Sequence, residues 1–216
     1  MNIAILQNIK FSQFNFINTN TQQPSQLSYF QIICFSLLFF LCSEFSSISA
    51  KERIYEPNRY GLMISGAHTY RIFEEVGFAN VSVFASFDYD KIWLHWAPKN
   101  LFWKLELTSG MTFKPYVKNL TSLNMIAQYY FFNNSWTDFK IRPYIEGGIG
   151  GIYTDFQILD QGSKISFNPQ AGLGTEFSLG PRNYFVSVRY HHVSNANIYP
   201  QNRGINSVAV FLGLYF

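Results

Sequence analysis

The sequence predicts an all-β protein, an eight-stranded antiparallel transmembrane β-barrel, and three observations lead there. Apolar and polar residues alternate with period two along most of the chain after Lys51, the pattern of strands with two different faces. Aromatic residues make up 19% and charged residues only 13%, well below the roughly 25% charged residues of an average soluble protein. Mean hydropathy is nonetheless close to zero, because only every second residue of such a strand faces lipid. The chain also closes on a strand, with Val208, Val210, Leu212, Leu214 and Phe216 alternating against Ser207, Ala209, Phe211, Gly213 and Tyr215. As the edge of a soluble sandwich, that strand would invite aggregation; barrel closure removes the edge.

The length, 216 residues, suits one domain. The formal net charge is +3, without a block of like charges, so nothing indicates a nucleic-acid partner. A small basic excess suits anionic lipid head groups. Both cysteines, Cys34 and Cys42, lie near the N-terminus and outline no disulfide framework.

Residues 1–50 read as a signal peptide. Phe30 to Cys42 is an apolar run, too short for a membrane-spanning helix of about 20 residues and right for a signal core of about 7–15. Small residues follow from Ser46 to Ala50, so cleavage is expected before Lys51. The region ahead of the core is long and has Lys10 as its positive charge, which points to a start further downstream. Residues 51–216 then form the barrel.

Eight strands are expected near 60–68, 80–96, 100–110, 120–132, 139–153, 165–179, 183–194 and 205–216. In the third, Leu101, Trp103, Leu105 and Leu107 face one way and Lys104, Glu106 and Thr108 the other. In the fifth, Ile145 and Ile149 oppose Arg142, Tyr144 and Glu146. In the sixth, Phe167, Ala171, Leu173 and Phe177 oppose Ser166, Asn168, Gln170 and Glu176. Asp88, Asp90 and Lys91 interrupt the second strand and suggest a bulge. Short connections at 97–99, 133–138 and 180–182 alternate with longer segments near 69–79, 111–119, 154–164 and 195–204, the expected contrast between periplasmic turns and outer loops. Arg142, Glu146, Glu176, Arg189 and His191 are expected to form an interior polar network that fills a narrow lumen.

Metal-spaced His/Cys clusters, phosphate loops and GxSxG elbows are missing from the sequence. The informative stretch is His191-His192-Val193-Ser194-Asn195-Ala196-Asn197-Ile198-Tyr199-Pro200-Gln201-Asn202-Arg203-Gly204-Ile205-Asn206. On the seventh strand, Tyr184, Val186, Val188, Tyr190, His192 and Ser194 share the lipid face, while Phe185, Ser187, Arg189 and His191 share the interior. His192 and Ser194 lie about 7 Å apart along the strand, a spacing from which a hydroxyl can reach an imidazole. Asn206 has the parity of lipid-facing Val208, so three polar groups converge on the lipid side of one rim.

The run HHVSNANIYPQNRGIN resembles the lipid A 3-O-deacylase family of outer-membrane barrels, with support from RPYIEGGIGGIY and the terminal strand. The resemblance implies an outer-membrane hydrolase of the acyloxyacyl type, which removes an ester-linked acyl chain from lipid A without metal or cofactor. It implies Ser194 as nucleophile, His192 as general base, and Asn195, Ala196 and Asn197, with Asn202 nearby, around the oxyanion. The family pattern has a glutamate to orient the base where this chain has Asn206. A carboxylate stabilises the imidazolium that forms; an amide oxygen only accepts from the ring N–H and holds the tautomer. The partners implied are lipopolysaccharide in the outer leaflet and, through the C-terminal Phe216, the barrel-assembly machinery. Arg203 is placed to meet a lipid phosphate. Oligomeric state stays open between monomer and homodimer. The other reading is a catalytically silent small barrel, structural or adhesive; a soluble lipocalin-like carrier fits poorly with the apolar outward face.

Overall fold

The computed structural model describes residues 58–70, 75–114, 116–132, 141–156 and 160–216. The expected signal peptide lies outside the described residues. The strands are β1 (Arg59–Thr69), β2 (Gly77–Asp88), β3 (Leu101–Lys114), β4 (Asn119–Tyr130), β5 (Arg142–Thr154), β6 (Ile165–Phe167), β7 (Gln170–Leu179), β8 (Arg182–Val193) and β9 (Ile205–Tyr215). β6 and β7 both pair with β5 and are two pieces of one barrel strand. Asn168-Pro169 separates them, because proline has no N–H to give to a ladder. Every neighbouring pair is antiparallel, and β1 pairs with β9 from Gly61↔Tyr215 to Thr69↔Ser207. With β4 paired to β5 the sheet has no open edge, so the barrel is closed with eight strands.

Alternation places the side chains as the sequence predicts. Lys104, Glu106, Gln128, Tyr144 and Arg189 are fully enclosed in the lumen, while Val210 and Leu212 are about half exposed on the outside. Lumenal aromatics need room in so narrow a barrel. Phe84 lies over Gly61 and Phe185 over Gly213, so that any side chain at either glycine would collide with a ring. Trp93, Trp96, Tyr129, Phe131 and Phe132 stand exposed near the rim where β1 begins and β9 ends. Aromatic residues at that level form the girdle that anchors a transmembrane barrel at the membrane surface. We call this the terminal rim and the opposite one the distal rim.

Two expectations about the connections are corrected. β2 stops at Asp88, and Tyr89–Trp93 form one turn of helix, α1, where a bulged strand to residue 96 is expected. Asp88 is captured on both sides: it accepts from Asn58 Nδ2 at 2.7 Å and meets Lys91 Nζ at 2.6 Å. The acidic and basic residues that look like a bulge therefore end the strand. The contrast in loop length also differs. β2 and β3 run on to the distal rim, where Gly77 pairs with Lys114, leaving only residues 115–118 between β3 and β4. The connection 89–100 at the terminal rim is the longer one. The expected turn at 133–138 lies outside the described residues.

The lumen is plugged by charge. Arg189 Nε meets Glu146 Oε1 and Arg189 Nη2 meets Glu106 Oε1, each at 2.7 Å; Lys104 Nζ lies 3.1 Å from Glu106 and 3.4 Å from Glu146. Glu176 joins Arg59 at 2.8 Å and Arg142 at 3.8 Å and accepts from the Tyr130 hydroxyl at 2.6 Å, while Phe84 meets Phe185 and Tyr215 edge to face. Expected members Arg142, Glu146, Glu176 and Arg189 are thus present, with Arg59, Lys104 and Glu106 added. His191 is a correction. Its ring lies parallel to Phe211, at 5.8 Å between centroids, and it joins no ion pair among the described residues.

Candidate active site at the distal rim

The candidate site is the distal end of the β8–β9 hairpin. Val193, Asn195 and Ile205 point inward and are buried, so their neighbours His192, Ser194 and Asn206 take the outward face. His192 stands opposite Asn206 in the ladder. Its Nδ1 lies 2.7 Å from Asn206 Oδ1. An amide oxygen only accepts, so this contact selects the tautomer of the neutral ring with its proton on Nδ1 and its lone pair on Nε2. Asn206 Oδ1 also accepts from the Tyr190 hydroxyl at 2.7 Å.

Ser194 follows two residues on. Its main chain is fixed against β6: Ser194 N donates to Phe167 O at 3.1 Å, and Phe167 N donates to Ser194 O at 2.8 Å. Within the break, one residue before β7 begins, Pro169 O accepts from His192 N at 3.0 Å. The interruption at Asn168-Pro169 thus keeps β6 paired along the segment that carries both His192 and Ser194. No hydrogen bond joins the Ser194 hydroxyl to the imidazole among the described residues.

Beyond Ser194 the chain reverses through Asn195-Ala196-Asn197-Ile198. Ala196 and Asn197 both have positive φ, 53° and 62°, and Ile198 N donates to Asn195 O at 3.1 Å. This is a type I′ turn, in which asparagine tolerates the left-handed conformation and alanine holds it at a cost. Asn202 staples the turn: its Oδ1 accepts from Asn195 N at 2.8 Å and its Nδ2 donates to Asn197 Oδ1 at 2.8 Å. The Asn195 side chain points inward and donates to Gln201 O at 2.8 Å. Asn195 therefore spends both its main-chain and side-chain donors inside the loop. The main-chain N–H groups of Ala196 and Asn197 have no acceptor among the described residues. The loop is clamped from the β5–β6 side, where Gly162 N donates to Gln201 O at 2.8 Å and Arg203 N to Asp160 O at 2.9 Å.

The structure therefore joins His192 to Asn206, joins Asn195 to Asn197 through Asn202, and places Ser194 between the two groups. Sequence reasoning missed three contributors. Pro169 inside a predicted strand was the signal for the break. Tyr190 shares the parity of His192. Gly204 lies under the imidazole, where a Cβ would fall 2.5 Å from Cε1, and only the fold reveals it.

Fold and site together define a class, the small outer-membrane β-barrels, here with a histidine–amide pair turned toward lipid at one rim. The family model described as lipid A 3-O-deacylase (PagL) matches residues 81–215. This chain belongs to the lipid A 3-O-deacylase family. It is 37% identical over 75 residues to the lipid A deacylase PagL of Pseudomonas aeruginosa, a match covering 33% of this chain and 42% of that protein. The chain thus spans about two fifths of the length of the curated relative it matches. Among solved structures it is similar to the outer membrane enzyme PagL, with 27% identity, TM-score 0.48, and coverage of 70% of this chain and 97% of that one. It is similar also to Neisserial surface protein A, with 15% identity, TM-score 0.47, and coverage of 73% and 93%.

Proposed function

We propose that this barrel is a serine esterase that removes an ester-linked acyl chain from lipid A in the outer leaflet. The observation that carries the reading is the 2.7 Å contact of His192 Nδ1 with Asn206 Oδ1 on the lipid-facing side, with Ser194 two residues along the same face. Polar groups turned toward lipid are costly unless they serve a purpose, and family membership supplies one.

In the reaction, His192 Nε2 takes the Ser194 proton as Oγ attacks the acyl carbonyl. The free N–H groups of Ala196 and Asn197 are the best-placed donors for the tetrahedral oxyanion, an effect typically worth about 10²–10³ in rate per donor. Collapse expels the sugar hydroxyl, which takes the proton back from His192, and water then releases the fatty acid by the same route. Every step uses this chain's own residues. The ester reaches the hairpin by lateral diffusion, because lipid A is already anchored in the leaflet that surrounds it. Lipopolysaccharide is the substrate partner of this reading, Arg203 of the same loop is the residue offered to a phosphate of lipid A, and the barrel-assembly machinery is the partner that Phe216 suggests.

The test is mass spectrometry of lipid A from cells with the gene, without it, and with Ser194→Ala or His192→Ala. Loss of one acyl chain is expected with the wild-type gene alone, while both variants keep the heat-modifiable mobility of a folded barrel. Deacylation that survives Ser194→Ala sinks the mechanism, and unchanged lipid A in every strain favours a silent barrel.

A further inference from the structure

We infer that Tyr190 is a positioning residue that locks the Asn206 amide with its oxygen toward His192, and so selects the imidazole tautomer able to act as a base. The inference rests on the esterase reading of Ser194 and His192.

A carboxylate beside an imidazole presents oxygen whichever way it is turned. An amide does not. Rotated by half a turn, Asn206 would present Nδ2 to the ring, Nδ1 would have to accept, and the proton would move to Nε2. That tautomer has no lone pair to receive the Ser194 proton, and a wrong tautomer of this kind is a severe defect in serine hydrolases. A side chain that replaces a carboxylate with an amide therefore needs something that distinguishes its two ends.

Tyr190 supplies it. Its hydroxyl donates to the same Asn206 Oδ1 at 2.7 Å, and this is its one hydrogen bond among the described residues. Turned over, the amide would donate from Nδ2 to the phenol oxygen and leave the phenol proton without an acceptor. The phenol is itself held in place. Its ring lies 6.1 Å from that of Tyr70, whose main-chain N donates to Asn206 O at 3.1 Å. Tyr190 and His192 share one face of β8, and Asn206 stands on β9 opposite His192, so phenol, amide and imidazole meet in a single row.

The test is a double-mutant cycle with an independent spectroscopic readout. Tyr190→Phe is made with Asn206 and with Asn206→Glu, and kcat and KM are measured on lipid A in detergent micelles. In the Asn206 background, Tyr190→Phe lowers kcat by about tenfold, the size of one hydrogen bond, with KM unchanged. With Asn206→Glu, where no end needs choosing, the loss is less than about twofold. Nitrogen NMR of the refolded barrel, with the His192 signal assigned by difference from His192→Gln, shows the proton on Nδ1 in the parent and shifting toward Nε2 in Tyr190→Phe. An equal loss in both backgrounds, or no loss in either, overturns the lock. If no variant turns over and Ser194→Ala is indistinguishable from the parent, the esterase reading fails. The tautomer spectrum then still decides the lock, and an unchanged spectrum in Tyr190→Phe overturns it.

Discussion

The imidazole of His192 rests on Gly204. A Cβ built at that glycine would fall 3.2 Å from Nε2 and 2.5 Å from Cε1, the latter closer than real side-chain contacts allow. The ring is the movable partner in such a clash, so Gly204→Ala displaces His192 from Asn206 and leaves the ladder intact. Misplacing a catalytic group by about 1 Å costs on the order of 10²-fold in rate. The expected outcome is a kcat lower by about that factor, with the heat-modifiable electrophoretic shift unchanged. Wild-type kcat in this variant would show that the ring has no fixed seat.

Asn206→Glu restores a charge next to the base. A hydrogen bond to a charged group contributes about 1.5–3 kcal/mol against about 0.5–1.5 for a neutral one. The imidazolium formed in the rate-limiting step therefore gains roughly 1.4 kcal/mol, and kcat rises about tenfold. Steady-state kinetics on lipid A micelles measure the change. A fall in kcat would mean that the 2.7 Å contact is tuned to the neutral amide.

Asn202 holds the turn after Ser194 through two bonds of 2.8 Å. Asn202→Ala frees Asn195 N–H and Asn197 from the partner they share, and the turn loosens where the proposed oxyanion donors sit. Removal costs about 1–3 kcal/mol locally. The measurable outcomes are faster cleavage of the 194–204 loop in limited proteolysis and a lower kcat/KM. An unchanged proteolytic pattern would assign the order of the loop to Gln201 and Gly162 instead.

Glu146 is the shared acid of Arg189 and Lys104, at 2.7 Å and 3.4 Å. Glu146→Ala strands buried positive charge, and breaking a buried pair costs about 3–5 kcal/mol. The urea midpoint of the folded barrel, followed by its heat-modifiable mobility, is expected to fall accordingly. Deacylation measured at low urea should persist, since among the described residues the ion pairs of the plug include no residue of the hairpin site. An unchanged midpoint would make the plug a filler without a stabilising role.

Most of the barrel was legible because lipid and lumen impose opposite demands on alternate residues. Lys104, Glu106, Glu146 and Arg189 announce an interior by interrupting apolar neighbours at every second place. Their partners were less legible, because pairing across the lumen depends on register between strands distant in sequence; Arg59 and Lys104 entered the network that way. The end of β2 was misread because a charged cluster at Asp88 to Lys91 looks alike in a bulge and in a helical turn; the Asn58 contact that decides it comes from β1's side of the barrel. Around the candidate site, parity located His192, Ser194 and Asn206. The spent donors of Asn195 and the free ones of Ala196 and Asn197 follow from a turn geometry that composition does not encode.

The charged plug also bears on how the barrel enters its membrane. Its four charges cancel, two basic and two acidic, but they arrive on separate strands: Lys104 and Glu106 on β3, Glu146 on β5 and Arg189 on β8. A partly assembled sheet in hydrocarbon would carry Glu146 of β5 and Arg189 of β8 without their partners across the lumen, each costly at that depth. Hairpins added one at a time therefore pass through states that lipid penalises. Only the closed ring brings the opposing strands face to face and cancels the charge of this four-residue plug. Cooperative insertion and closure are the expected consequence, written into three strands whose charges are satisfied only together.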